Sequence, residues 1–429
     1  MLTTYNNPTD WASLLERPLF ETEALEAKVT EMLQAVRTEG DAAVRRFTPQ
    51  LDGVELQPIG LPQAAIDSAA AELPPRLRQA IDQAYQNIRA FHATQRQAVQ
   101  RAETMPGVTC WRKSVPIERV GLYVPAGTAP LFSSVLMLGV PAQLAGCQTL
   151  VLCTPPQKDG SIHPAMRYAA ALVGCRQIFT IGGVQAVGAM AYGTESVPKV
   201  YKIFGPGNQY VTRAKQLVSQ GQTAIDMPAG PSELLVWADG AANPDFVAID
   251  LLSQAEHGRD SQVVLVTESA ALVQAVERAL ELQLADLPRA DFARGALANS
   301  HAVVLETEVQ QAAFVNAYAP EHLIINTANA EAQAELVVNA GSVFLGAYTP
   351  ESLGDYASGT NHTLPTNGYA RQYSGVSLDD FVKKITFQRA TREGLQTIGW
   401  VVEEMATAEQ LTANQRAVRL RLATMHQPV

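Results

Sequence analysis

Between residues 118 and 345, short runs of β-branched and aliphatic residues alternate with helix-length segments, and nothing else in the chain constrains its fold as tightly. Residues 119–124, 150–154, 177–181, 200–204 and 224–227 read as strands, separated by helices near 131–144, 164–173, 184–192 and 210–218. The succession then recurs, with strands at 234–238, 263–267, 302–305, 323–325 and 342–345 and helices near 246–256, 270–284, 309–318 and 332–338. No residue-level repeat accompanies it. Strands linked by crossing helices build parallel sheets covered on both faces. The expected architecture is therefore α/β: two similar open parallel-sheet (incomplete Rossmann-like) halves with helical N- and C-terminal extensions. A ligand cleft is expected between the halves, near the carboxyl ends of the strands.

The flanks read differently. Residues 1–112 form an expected N-terminal helical segment: Leu25, Val29, Leu33 and Val36 share one face, and Pro75 opens a second helix carrying Leu77, Ile81, Tyr85 and Ile88. Within it, residues 96–110 lack periodicity and read as a connection. The α/β halves are placed at 113–230 and 231–375. Residues 376–429 read as a helical tail, amphipathic through Ile398, Val401, Val402 and Met405 and suited to packing on a partner subunit.

Several classes of protein are disfavoured. Asp and Glu number 42 against 32 Lys and Arg, a net charge of −10, so no nucleic-acid or anionic-membrane surface is expected. The most apolar stretch, 135–153, is broken by Pro141, Gln143 and Gln148, short of the roughly 20 uninterrupted residues a membrane span needs. Residues 1–10 carry neither a basic cluster nor an apolar run, so cytoplasm is the expected location. Cys110, Cys147, Cys153 and Cys175 form no close pair and read as buried apolar residues or, alternatively, as a thiol that captures an aldehyde.

Five segments could carry chemistry. Gly182-Gly183 and Gly205-Pro206-Gly207-Asn208 sit at strand-to-helix junctions, where glycine lets backbone N–H groups approach a phosphate; tight turns explain them equally well. Gln254 and His257 lie three apart at a helix end, hence on one face, and could ligate a metal or merely meet the last carbonyls. Glu321-His322 sets a carboxylate beside an imidazole, a general acid–base pair or an exposed Glu next to a hydrogen-bonded loop His. The segment 351–373 reads as an ordered functional loop in which Asp355 completes a metal site or caps a turn. His92, His163, His301 and His426 have no partner pattern.

Together these segments resemble the histidinol dehydrogenase family over nearly the whole chain. The resemblance rests on Val120-Gly121-Leu122-Tyr123-Val124-Pro125, Phe204-Gly205-Pro206-Gly207-Asn208, Asp226-Met227-Pro228-Ala229-Gly230-Pro231-Ser232-Glu233, Leu252-Ser253-Gln254-Ala255-Glu256-His257-Gly258, Pro320-Glu321-His322-Leu323 and Gly354-Asp355-Tyr356-Ala357-Ser358-Gly359-Thr360-Asn361-His362, in that order. It implies an NAD- and zinc-dependent enzyme that oxidises L-histidinol to L-histidine through a bound aldehyde. It further implies that Tyr123, Gln185 and Asn208 contact NAD, that Gln254, His257 and Asp355 ligate zinc, and that Ser232, His322 and Glu409 contact substrate, the zinc ligands also facing it. Glu321 and His322 are then the acid–base machinery, and the family's homodimer uses its C-terminal segment to complete the partner's site. One position departs: the fourth zinc ligand is a His in the family, but the corresponding run here is Leu411-Thr412-Ala413-Asn414. An Asn carbonyl is a weaker zinc donor than imidazole, and His426 lies roughly 18 Å further along a continuous helix. Zinc bound more weakly, with Asn414 or water as fourth ligand, is the expectation. A paralogue acting on another alcohol and an inactive ligand-binding relative are the competing readings.

Overall fold

The computed structural model describes residues 2–18, 23–55, 58–126, 129–228 and 230–425. It contains two compact units, one of Met1–Gln95 with Ile117–Phe381 and one of Arg96–Pro116 with Val382–Val429.

The first unit holds both expected sheets. The five-stranded one runs in the order Gln177–Phe179, Thr149–Cys153, Arg119–Tyr123, Lys202–Phe204, Ala224–Ile225, every pair parallel. Both of its faces are covered, as a parallel sheet requires. Leu150 and Leu152 point into a core with Leu136 and Leu138, while Val151 and Cys153 point into another with Val187 and Met190. The helix Phe132–Ala145 is apolar nearly all round and correspondingly buried, ending at Gly146 in the left-handed conformation. Thus 135–153 is helix, turn and strand. The N-terminal helices supply the outer layers: Val29, Leu33 and Val36 close one core, and Ile81 and Ile88 close the other.

The second sheet has six parallel strands, ordered Thr3–Asn6, His301–Val304, Gln262–Thr267, Glu233–Ala238, His322–Asn326, Ser342–Leu345. Leu234, Val236 and Leu265 face one helical layer, and Leu235, Trp237 and Val266 face the other. The α/β architecture of two open parallel-sheet halves is therefore present.

Several local expectations need correction. Thr3–Asn6, inside the segment read as helical, is an edge strand of the second sheet, with exposed polar residues that show no hydrophobic alternation. Residues 96–110 are not a plain connection, and 376–429 is not helical throughout. In the second unit Arg101–Met105, Val108–Pro116 and Val382–Ala390 form a three-stranded antiparallel sheet. It is held by cross-strand pairs rather than burial: Trp111 stacks on Phe387 at 5.5 Å and Arg101 lies 4.1 Å over the Trp111 ring. Pairing partners some 270 residues apart leave no local periodicity. The helices Arg392–Ala408 and Thr412–Met425 follow in this unit. Residues 351–356 are likewise not loop but a short helix, Glu351–Tyr356.

Candidate active site

Ser232, Gln254, His257, Glu321, His322 and Asp355 all line one cavity of about 350 Å³ in the first unit. Asn208, Ser134 and His362 line it as well. The first sheet presents the carboxyl ends of its strands here, as expected, through Pro125, which follows Arg119–Tyr123, and Pro206-Gly207, which follow Lys202–Phe204. The second sheet does the opposite: Glu233 and His322 are the first residues of their strands. The expectation that ligands sit at carboxyl ends therefore holds for one half only.

Glu321 and His322 are buried, 6% and 4% exposed, which excludes an exposed Glu beside a loop imidazole. Glu321 Oε2 accepts from the Glu233 N–H at 2.9 Å, and His322 Nδ1 lies 3.3 Å from the Glu233 carbonyl. A donor at Nδ1 leaves Nε2 as the basic nitrogen. Nε2 is buried without a hydrogen-bond partner and lies 3.6 Å from Asp355 Oδ1. Nδ1 is also 3.6 Å from Glu321 Oε2 and 3.7 Å from Glu351 Oε1. Burial pulls the imidazole pKa down, but the surrounding charges of Glu351, Glu321 and Asp355 outweigh it and hold it well above the ordinary value. Burial pushes Glu321 up to about 8, His322 opposing. Asp355 goes the other way: burial would raise it, yet the charge of His322, 3.6 Å away, keeps it low.

Glu351 is a member the sequence did not reveal. It precedes Asp355 by four residues, so the two share a face once 351–356 is helical. Reading that segment as loop hid the relation. His322, Glu351 and Asp355 bring ligand atoms within 4.8 Å of one another. Gln254 is fully buried with both amide atoms unpartnered, as is Glu351 Oε2. Unpaired buried polar groups are costly, and this oxygen and nitrogen set suits a divalent cation. His362 closes the Gly354–His362 motif; its Nδ1 lies 2.9 Å from the Asp355 carbonyl and its Nε2 2.9 Å from Ser134 Oγ.

The nucleotide-side candidates occupy the first sheet. Tyr123 is buried at a strand end, and its hydroxyl accepts from the Gly183 N–H at 3.1 Å. Gln185, in the helix opened by Gly182-Gly183, is fully buried with its amide unpartnered. Asn208 caps the helix Gln209–Ser219, accepting from the N–H groups of Tyr210 and Val211, which leaves its own NH2 free to donate. Gly205 has φ +127°, and a Cβ there would lie 1.9 Å from the Tyr123 carbonyl oxygen, so only glycine fits. The Asn208 NH2 and the orphaned Gln185 amide are polar groups with bonding capacity left, which fits a dinucleotide.

Glu409 and Asn414 belong to the second unit, where both are exposed. His426 lies outside the described residues. Cys147, Cys153 and Cys175 do not line the cavity, and burial pushes Cys147 and Cys175 up to about 12 and Cys153 higher still. Thiols so protonated are poor nucleophiles.

An α/β fold with a buried imidazole among carboxylates, opening beside glycine-rich turns, defines an enzyme of the acid–base, cofactor-using kind. The sequence model of Histidinol dehydrogenase matches residues 15–422. The histidinol dehydrogenase of Bacteroides thetaiotaomicron is 56% identical, over 99% of both chains. The crystal structure of histidinol dehydrogenase from Elizabethkingia anophelis superposes with a TM-score of 0.96 at 51% identity, covering 99% of each chain. An acetylating aldehyde dehydrogenase from Geobacillus thermoglucosidasius, 13% identical with a TM-score of 0.50 over 86% of this chain and 97% of its own, is alike in fold alone. The chain belongs to the histidinol dehydrogenase family.

Proposed function

We propose that this chain oxidises L-histidinol to L-histidine with NAD through an aldehyde that stays bound, the last step of histidine biosynthesis. The observation that carries this reading is the buried Glu321–His322 pair, anchored by one backbone residue and opening into the cavity that holds Gln254, His257 and Asp355.

When bound, NAD would accept the hydride of each oxidation, and zinc would polarise and orient the alcohol as a Lewis acid. Tyr123, Gln185 and Asn208 would hold the former. Gln254, His257 and Asp355 would hold the latter, with Asn414 or water as fourth ligand, and Glu351 stands close enough to join them. With the charges of Asp355 and Glu351 offset by a bound cation the imidazole would be neutral, and His322 Nε2 then takes the hydroxyl proton in the first oxidation. His322 releases that proton to solvent, and the Glu321–His322 pair then takes one proton from the water that adds to the aldehyde carbon; after hydride loss the acid gives its remaining proton to solvent and ends as a carboxylate. Ser232, at the cavity wall, hydrogen-bonds the substrate.

The second unit exposes Trp400, Met405 and Leu420 at 64%, 60% and 68%, which supports a homodimer whose C-terminal tail, with Glu409 and Asn414, reaches the partner's site. No helix among the described residues is long and apolar enough to cross a membrane, in keeping with a cytoplasmic enzyme. The test is turnover of L-histidinol with histidine identified by mass spectrometry. Wild type should form it, and His322→Asn should lower kcat by about a hundredfold or more. Full activity in that variant would overturn the assignment.

A further inference from the structure

Glu233 holds both members of the acid–base pair through its own backbone, its N–H on Glu321 and its carbonyl at His322. Its side chain is held in turn by Arg17, from the N-terminal segment. Arg17 Nε donates to Glu233 Oε2 at 2.6 Å and Nη2 to Oε1 at 3.2 Å, both side chains being buried. Nη2 also donates to the Tyr318 carbonyl at 2.6 Å, three residues before Glu321, and Nη1 donates to the Leu15 carbonyl at 2.8 Å. The guanidinium lies 3.5 Å over the Tyr318 ring. All the donors named here are engaged, and Arg17 is not among the residues lining the cavity.

We propose that Arg17 is a positioning residue for the oxidation, a remote clamp that sets the geometry of Glu321 and His322. This rests on the dehydrogenase reading above. The strands Glu233–Ala238 and His322–Asn326 are parallel neighbours, with His322 opposite Leu234. Their starting segments carry the whole acid–base pair. One planar fork bonded to the Glu233 carboxylate and the Tyr318 carbonyl fixes the distance between those segments, which a single point donor cannot do. Slippage there moves the Glu233 peptide groups away from Glu321 and His322. Displacements of about 1 Å at reacting groups cost on the order of a hundredfold in rate. Substrate binding, made mostly by Ser232, Glu409 and the zinc-site residues, changes little.

The experiment compares wild type, Arg17→Lys, Arg17→Met and Arg17→Ala with Arg46→Met, a control that breaks the exposed Arg46–Glu39 pair and the contact of Arg46 over the Phe47 ring. NADH formation from L-histidinol is measured at saturation, with thermal melts and circular dichroism confirming folding. Arg17→Lys should fold with kcat down about tenfold and Arg17→Met with kcat down about a hundredfold, KM staying within about threefold in both. Millimolar guanidinium should restore part of kcat to Arg17→Ala, and Arg46→Met should match wild type. If Arg17→Met or Arg17→Ala does not fold, Arg17→Lys decides alone. Folded Arg17→Lys at wild-type kcat overturns the proposal, as does a defect carried by KM, or folded Arg17→Ala that guanidinium leaves unchanged. Wild type that does not oxidise histidinol defeats the dehydrogenase reading instead, a result separable from all of these.

Discussion

Replacing Lys215 by Met should destabilise the first unit and loosen its glycine turn together, and the size of the effect follows from the contacts. Lys215 Nζ lies 2.5 Å from Asp226 Oδ1, with the two side chains 5% and 1% exposed. The ammonium also donates to the Gly205 carbonyl at 2.7 Å, while Asp226 accepts the N–H groups of Gly205 and Met227, each at 2.8 Å. The pair thus grips Gly205 from both sides. Removing one partner of a buried ion pair costs about 3–5 kcal/mol because the other charge stays behind uncompensated. The two backbone N–H bonds that Asp226 retains place this case toward the lower end, about 3 kcal/mol. The assay is urea unfolding of wild type, Lys215→Met, Asp226→Asn and the double variant, read as a shift in midpoint at constant slope. The double variant should recover part of the loss, since it leaves no buried charge unpaired. A loss below about 1 kcal/mol in Lys215→Met, or strict additivity in the cycle, would refute the reasoning.

Two further outcomes follow from the same structure. Burial, aided by the charge of Arg17 and opposed by a hydrogen bond to the Leu14 backbone, lowers the His301 pKa from its ordinary 6.5 to about 4. The unfolded chain therefore binds this proton more readily, so the stability at stake is fully present above pH 6.5 and is lost as pH falls toward 4, about 3 kcal/mol in all. His301→Gln should flatten the stability profile across that window; an equal fall in unfolding midpoint from pH 7 to pH 4.5 in wild type and variant would contradict this. Asn414→His should tighten zinc by at least about tenfold, imidazole being the better donor. Competition against a chelator checks it, and equally tight zinc in both proteins would show that position 414 is no ligand.

The two α/β halves are legible in the sequence because strands buried on both faces, such as Thr149–Cys153 and Gln262–Thr267, need unbroken apolar runs that polar helical caps then punctuate. Elements stabilised by distant partners are not legible. Val382–Ala390 finds its place only against Val108–Pro116, and Thr3–Asn6 only against His301–Val304. The site divides along the same line. Gln254, His257, Glu321 and His322 stand out because chemistry-bearing residues are adjacent or one helical turn apart in the chain. Glu351 was hidden by a misread helix. Arg17 and Glu233 are 216 residues apart and meet only in the folded protein, so no motif could announce them.

The most direct test of the whole account is the number of NADH molecules formed for each L-histidinol consumed, followed to completion with the purified chain. A site that keeps the aldehyde, hydrates it with Glu321 and His322 and oxidises it again predicts two. A value of one, with free aldehyde released into solution, would contradict it.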